Sequence, residues 1–430
     1  TKPRARPKPN PGPDPAGTMA APPRRRDSPP VLPDEIVEEI LLRLPPEEPA
    51  CILRVSLVCK SWATTVSSPW FRRRLHELHH TPPVLGFLHN WDNERIPRFI
   101  PTTASSFSLA APDCRNWCAL DCRHGRAVFL SKGQDTNELL AWEPITGAQR
   151  RIPVPVPASS GCRLAPGAAV FCAADGCNHL DCHGGPFHLV FVFTEYTNAD
   201  DYVTSVTSAC LYSSETGAWG ELTSVHGEFD IDFTFYSGVL VGRSLFYFLS
   251  DSALIVEYDL ARHELTVFDP PGSQYYDDTL SLMLAEDGGL GLSQTLDQHL
   301  KLWSRKASSG TTDAQWVLSQ VVYFENLLPN GAPVNATRSL DVLGFAEGAN
   351  VIFVTTVIGL FTVELESGRM RKVCDNHGFC NLIPVVSFYT PVPCGKHHDS
   401  PRVTCYEKLA PEGASTLKNM DVPCYLKLNR

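Results

Sequence analysis

Residues 187–196 read FHLVFVFTEY, and residues 209–225 read ACLYSSETGAWGELTSV. The first is a run of aromatic and β-branched residues. The second is two such runs on either side of a Glu-Thr-Gly turn, the pattern of a hairpin. The same order, one run and then one hairpin, recurs along the chain. RAVFLSK at 126–132 precedes LLAWEPITGAQRRIPV at 139–154. RSLFYFLSD at 243–251 precedes LIVEYDLARHELTVFD at 254–269. GGLGLSQTL at 288–296 precedes HLKLWSRKASSGTTDAQWVLSQVV at 299–322, and NVIFVTT at 350–356 precedes GLFTVELESGRMRKVCD at 359–375. Turn centres fall near Gly147, Gly217, Arg262, Gly310 and Gly368, with separations of 70, 45, 48 and 58 residues.

A unit of several strands repeated about every 40–50 residues is the sequence mark of a β-propeller. Five units are visible. A sixth assembles from Val84–Leu88 and Phe99–Ile100 at the front and Leu382–Tyr389 at the back, which closes the ring. The predicted fold is therefore mainly β with a small N-terminal α subdomain, the β part being a propeller of about six blades over residues 84–392. A large β-sandwich or an open β-rich domain is the alternative. The single repeating order of the strands favours the propeller.

Upstream the period changes from 2 to 3.6. Residues 32–75 read LPDEIVEEILLRLPPEEPACILRVSLVCKSWATTVSSPWFRRRL. Pro33 and Asp34 suit a helix start, and Glu35, Glu38 and Glu39 lie where the helix dipole favours negative charge. Ile36, Ile40 and Leu44 recur at i, i+4, i+8, with Val37 and Leu41 beside them. Pro45-Pro46 stops this helix. A second helix puts Ile52, Val55, Cys59 and Trp62 on one side, with Leu53 and Leu57 in a second stripe. Ser68 and Pro69 form an N-cap and N1 pair for a third, striped by Phe71, Leu75 and Leu78 and ended before Pro82. About 40 residues bury too little surface to be a secure independent fold, so the apolar faces predict a docking surface. An ordinary helical subdomain packed on the rest of the chain has the same pattern.

This stretch resembles the F-box motif over its whole length, from Leu32-Pro33 to Val58-Cys59-Lys60-Ser61-Trp62. It departs at Pro49-Ala50-Cys51, where many F-boxes carry Asp-Leu-Leu, and the departure predicts a second helix shorter by a turn. With the repeats behind it, and phrases such as WEPITGAQRRIPVP and GCNHLDCHGGPFHLVFVF, the chain resembles plant F-box proteins, especially those of grasses. The resemblance implies the substrate-recognition subunit of an SCF-type cullin ubiquitin ligase. Its F-box would dock a Skp-type adaptor, and through it a cullin, using Leu32, Pro33, Ile36, Ile40, Leu44, Pro45, Val58, Cys59 and Trp62. Its propeller would hold a target protein, and the chain would catalyse nothing.

The division expected is a Pro/Arg-rich tail at 1–30, the F-box at 31–80, the propeller at 84–392 and an extension at 393–430. Residues 1–26 hold eight prolines, seven Lys/Arg and one acid, Asp14. Such a segment is expected to be disordered, and Met19-Ala20-Ala21 looks like a natural start, with 1–18 an upstream extension. Against the whole-chain charge of −10, the tail's 7 − 1 = +6 leaves −10 − 6 = −16 for the rest. That balance argues against general nucleic-acid binding. No apolar run reaches membrane-spanning length. Fifteen cysteines without a secretory signal point to reduced thiols in cytosol or nucleus.

Three clusters could carry chemistry, and each has a plainer reading. His76-Glu77-Leu78-His79-His80 matches H-E-x-x-H, but it sits at a helix end beside Thr81-Pro82-Pro83. Cys172, Cys177, His179, Cys182 and His183 have zinc-ligand residue types at irregular spacing; Cys114, Cys118, Cys122 and His124 are looser. Buried thiols in propeller loops are the expectation, with no metal assigned and at most one structural zinc in the first cluster. No cofactor is expected. Among the loops, Asn198–Tyr202, His226–Asp230 and Gln274–Asp278 combine aromatic and acidic side chains. Tyr202, Phe229, Tyr275 and Tyr276 are the candidate anchors for a target bearing a basic segment. A propeller-fold enzyme or small-ligand binder with a structural helical N-terminus is the competing class. A ring of acids or histidines converging on one loop face would favour it.

Overall fold

The computed structural model describes residues 32–90, 98–102, 117–131, 138–155, 166–179, 182, 184–199, 202–227, 238–242, 244–250, 253–272, 279–296, 299–307, 314–323, 340–375, 379 and 382–391. The 32–80 region forms four helices rather than the three expected: α1 (Asp34–Leu42), α2 (Pro49–Ser56), α3 (Lys60–Ser67) and α4 (Pro69–His79). The expected second helix is broken at Leu57–Cys59. Ser56 Oγ donates back to the Leu53 carbonyl at 2.6 Å, and Cys59 is fully extended (φ −160°, ψ 165°). The hydroxyl thus satisfies a carbonyl in the last turn while the backbone leaves helical geometry. Proline is tolerated in a first turn, and α2 starts at Pro49 itself.

Val37, Leu41, Leu42, Ile52, Val66, Phe71 and Leu75 form the helical core, with Leu44, Val55 and Trp62 packed at its edge. The Ser68 hydroxyl caps α4 by accepting from the Phe71 amide at 3.1 Å. Ser68→Ala is expected to cost about 1 kcal/mol, read as roughly fivefold faster amide exchange in α4, while Ser68→Asp retains the cap.

Behind the helices stand six sheets. Blade 1 is Arg98–Pro101, Val84–His89 and Leu382–Val386, hydrogen-bonded in that order. Blade 2 runs Trp117–Arg123, Arg126–Ser131, Glu138–Trp142 and Gln149–Pro153. Blade 3 runs Gly167–Cys172, Phe187–Ala199 and Tyr202–Ser213, with Ala218–Trp219 and Thr223–Gly227 both pairing the last of these. Blade 4 runs Val239–Val241, Leu245–Leu249, Ile255–Asp259 and Glu264–Phe268. Blade 5 runs Thr279–Leu284, Leu290–Leu296, His299–Ala307 and Ala314–Tyr323, and blade 6 runs Asp341–Ala346, Val351–Thr356, Gly359–Glu364 and Met370–Cys374. The first strands of neighbouring blades touch one another, which places them around the axis. Trp117–Arg123 contacts Gly167–Cys172 and Leu382–Val386, and Asp341–Ala346 contacts Thr279–Leu284 and Leu382–Val386.

Each blade is apolar on both faces, so each buries itself only against two neighbours. Period-two alternation divides the work. In blade 4, Leu240, Phe246 and Val256 pack toward blade 3, while Val239, Tyr247 and Ile255 pack toward blade 5. All six interfaces are filled this way, blade 1 against blade 2 by Leu88 and Trp142, blade 6 against blade 1 by Phe353 and Phe87. Ring closure follows the expected route, since the late strand Leu382–Val386 supplies the axial strand to a blade begun by Val84–His89. A β-carbon at Gly344 would lie 2.7 Å from the Leu382 carbonyl oxygen, so that closure requires glycine there.

Candidate docking and binding sites

The chain leaves apolar side chains in solvent at its helical end despite a large core elsewhere. Leu32 is 52 %, Ile36 48 %, Ile40 51 % and Val58 60 % exposed. Pro33, Pro45 and Cys59 are exposed as well. Helix α1 thus shows two apolar faces: Val37 and Leu41 turn inward, Ile36 and Ile40 outward. Leu44 and Trp62, placed by sequence in the same docking set, are half-buried against the helical core and support the face from beneath. The Leu57–Cys59 break is what puts Val58 and Cys59 on the outside.

The helices are joined to the propeller by more than the covalent link. His76 is buried and stacks on Phe388 with ring centroids 4.5 Å apart, and Phe388 belongs to the helical core. Leu53 of α2 enters the core between blades 1 and 2. His79 bonds the Leu42 carbonyl at 2.9 Å. The H-E-x-x-H sequence is therefore spent on packing and hydrogen bonding.

Where the axial channel opens beside the helices, a cavity of about 300 Å³ is lined by Asp121, Arg123, His124, His179, Glu347 and Pro82, among others. Asp121 accepts both Nε and Nη2 of Arg123, at 2.9 and 3.0 Å, and also the Val170 amide at 2.8 Å. Arg123 Nη1 reaches Glu347 at 3.2 Å, and Arg123 also donates to the Gly238 carbonyl. These groups tie together blades 2, 3, 4 and 6. Burial pushes the Asp121 carboxyl above its ordinary range against the pull of the Arg123 guanidinium. Burial, with help from His179, lowers the His124 pKa to about 3 and keeps that ring neutral; its Nδ1 accepts the Cys172 amide at 3.1 Å. Charged groups do converge on this mouth, but each is committed to holding strands together.

The cysteine cluster lies at the end of the first strand of blade 3, with Cys172, and in the loop that leads from it to the second. Cys172, Cys177, His179 and Cys182 offer ligand atoms that all lie within 4.8 Å of one another. His183 and Cys114 lie outside the described residues, and sequence spacing alone did not show which members meet.

Of the candidate target anchors, Phe229, Tyr275 and Tyr276 lie outside the described residues, and Tyr202 is described only as backbone at the start of its strand. The strands around them fix which end of the ring these segments leave from. Ala199 pairs Tyr202, Gly227 pairs Ser205, Phe268 pairs Ile255, and Thr279 pairs Thr295. All four pairs mark the ends of blades away from the helices, because α4 leads into the opposite end of Val84–His89.

Two family models match the chain. The F-box domain matches residues 30–74, and the model described as F-box protein AT5G49610-like, β-propeller, matches residues 119–392. The chain belongs to this F-box β-propeller family. A relative is F-box protein At3g26010 of Arabidopsis thaliana, 24 % identical over 316 residues that cover 70 % of this chain and 71 % of that protein. Among solved structures, a Lactobacillus plantarum protein aligns over 71 % of this chain and 99 % of its own at 12 % identity, with a TM-score of 0.35. The β-propeller domain of Myceliophteria thermophila Cps50 (Swd1) aligns over 62 % of this chain and 76 % of its own, also at 12 % identity, with a TM-score of 0.31. An F-box joined to a propeller is the organisation of an SCF substrate-recognition adaptor in general, a class typically without catalytic activity. No described helix is long and apolar enough to cross a membrane.

Proposed function

We propose that this chain is the substrate-recognition subunit of an SCF-type cullin ubiquitin ligase. Residues 31–80 dock a Skp-type adaptor, and the propeller of residues 84–392 binds the target protein. The observation that carries the reading is the set of exposed apolar side chains on the helices: Leu32, Ile36 and Ile40 along one side of α1, and Val58 after α2, with Pro33, Pro45 and Cys59 also exposed. Such a set on a protein with six filled blade interfaces calls for a partner. The chain itself performs no chemistry. It raises the effective concentration of a target lysine near the charged ubiquitin-conjugating enzyme, a proximity effect. Cytoplasm or nucleus is the compartment where this machinery and reduced cysteines coexist. The grass-type phrases support a plant source.

The target surface is assigned to the end of the ring opposite the helices. Blade 3 is the largest blade, and its central pair reaches out to Ala199 and Tyr202. The segments holding Phe229, Tyr275 and Tyr276 join strands at that same end. Binding there leaves the adaptor face free, and an acidic loop set fits a basic segment of the target. Replacing Tyr202, Phe229, Tyr275 and Tyr276 together by alanine is expected to abolish target capture while adaptor binding persists. Affinity purification with proteasome inhibition, followed by mass spectrometry, reads the result. Retention of every partner with unaltered ubiquitination places the target surface elsewhere.

The competing enzyme reading would use the charged channel mouth. Arg123 is held there by two carboxylates and a carbonyl, and His124 is neutral with an occupied Nδ1. That wiring suits a structural tie and leaves no poised acid–base pair.

A further inference from the structure

We propose that Cys172, Cys177, His179 and Cys182 bind one zinc ion in a closed Cys3His site that locks the loop between the first two strands of blade 3. This inference is independent of the adaptor reading and goes beyond the sequence expectation of buried thiols with at most one structural zinc.

Two of the ligand–ligand distances match the edges of a tetrahedron, and the others lie close enough for the loop to draw them in. With Zn–S of about 2.3 Å and Zn–N of about 2.0 Å, tetrahedral edges are about 3.5–3.8 Å. Cys177 Sγ lies 3.6 Å from Cys182 Sγ, and Cys182 Sγ lies 3.7 Å from His179 Nδ1. The remaining separations stay within 4.8 Å. Two backbone amides are aimed at the sulfurs: Ala174 N at Cys172 Sγ and His179 N at Cys177 Sγ, both at 3.4 Å. Such donors two residues beyond a cysteine strengthen when the sulfur is a thiolate. His179 adopts a left-handed backbone (φ 60°), unusual for a residue with a β-carbon, and its Nδ1 faces Cys182 Sγ.

The scaffold around the four groups is fixed. Ala173 N bonds the Pro186 carbonyl at 3.0 Å and closes the loop at its base. Blade 2 grips the other side, where Glu143 accepts the Gly184 amide at 3.0 Å and Arg126 donates to the Gly185 carbonyl at 2.8 Å. The His124 ring stacks on His179 at 4.2 Å and 13°. The stacking restrains the orientation of the His179 ring, a role that a hydrogen bond from the other ring nitrogen usually plays at a metal-bound histidine. Cys172 and Cys182 are buried and the other two half-buried, so four protein ligands would complete the shell with no open position. Three sulfurs and one imidazole in a closed tetrahedral shell select zinc and a structural role. Each thiol loses its proton to the buffer as its Zn–S bond forms, and the neutral imidazole donates a lone pair without releasing one. The irregular sequence spacing is absorbed by Gly176 (φ 67°) between Cys172 and Cys177.

The test uses the full chain purified without chelator and analysed for metals. One zinc per chain is expected, and zinc added to chelator-stripped protein should release close to three protons. Replacement by cobalt should give the visible bands of a tetrahedral ion together with thiolate charge transfer. Cys177→Ser with Cys182→Ser should lose the metal, whereas His179→Cys, which keeps four soft ligands, should retain it. Zinc that stays in the double variant overturns the site. So does a wild-type chain that takes up neither zinc nor cobalt, or one that shows a Cys177–Cys182 disulfide by mass spectrometry. If the double variant does not fold, the cobalt spectrum of the wild-type chain decides. Thiolate charge transfer sustains the site, and its absence overturns it.

Discussion

Leu32→Ala with Pro33→Ala is expected to cut the affinity of this chain for a Skp-type adaptor by about 2–4 kcal/mol, or about 30- to 900-fold, at about 1–2 kcal/mol per anchor. Both residues are exposed and precede α1, so the substitution takes nothing from the helical core. The circular dichroism melt should therefore be unchanged, and isothermal titration with purified adaptor should show the loss. Ile36→Asp and Ile40→Asp should weaken capture further, because each would bury a carboxylate in an apolar contact. Val37→Ala and Leu41→Ala should instead lower the melting temperature, since these side chains are inside. Residues 84–430 without the helices should not bind adaptor at all. Undiminished binding by the Leu32/Pro33 variant would remove the assignment of this face.

The second large effect belongs to the channel mouth. Arg123→Met leaves Asp121 buried without its guanidinium and is expected to destabilise the protein by about 3–5 kcal/mol, the cost of breaking a buried ion pair from one side. The comparison is Arg151→Met. Arg151 pairs with Glu138 at 2.9 Å but has a side chain 63 % exposed, and such surface pairs contribute at most about 1 kcal/mol. Urea midpoints of the two variants should separate clearly. Adding Asp121→Asn to Arg123→Met should recover much of the loss, because the amide oxygen can still accept from Val170 while the buried charge is gone. Equal midpoints for Arg123→Met and the wild-type chain would show that the guanidinium holds nothing together.

Local pattern carried much of this architecture. The second, third and fourth strands of the blades were legible because a strand exposed on one side, or bounded by a turn, announces its period and its end. Gly147, Gly217 and Gly368 do have positive φ at the predicted turns, and at the turn near Arg262 the positive φ falls on His263; Gly310 lies outside the described residues. The axial strands other than Leu382–Val386 were not legible. Val239–Val241 is three residues long, and Gly167–Cys172 is buried throughout. A short or continuously apolar run has no alternation to read, because both of its faces are covered by neighbours distant in sequence.

The helical segment divides along the same line. The sequence by itself determined that α1 has apolar residues in excess of one stripe, that Ser68-Pro69 opens a helix, and that Leu32–Trp62 match an F-box. It did not determine which apolar residues face inward. That was decided by the shared helical core that takes in Val37 and Leu41, and by the break after Ser56, where Val58 is exposed. The cysteine loop is the extreme case. Residue types were plain in the sequence, but their irregular spacing did not show which of them meet. Only the tertiary structure brought the four ligand atoms within 4.8 Å, because the loop's ends are clamped by a strand pair and by blade 2. Helix and strand follow from interactions a few residues apart, which one chain displays in order. Ligand geometry, ion-pair partners and the inward or outward choice of an apolar side chain depend on atoms brought together from distant segments, and folding alone sets those distances.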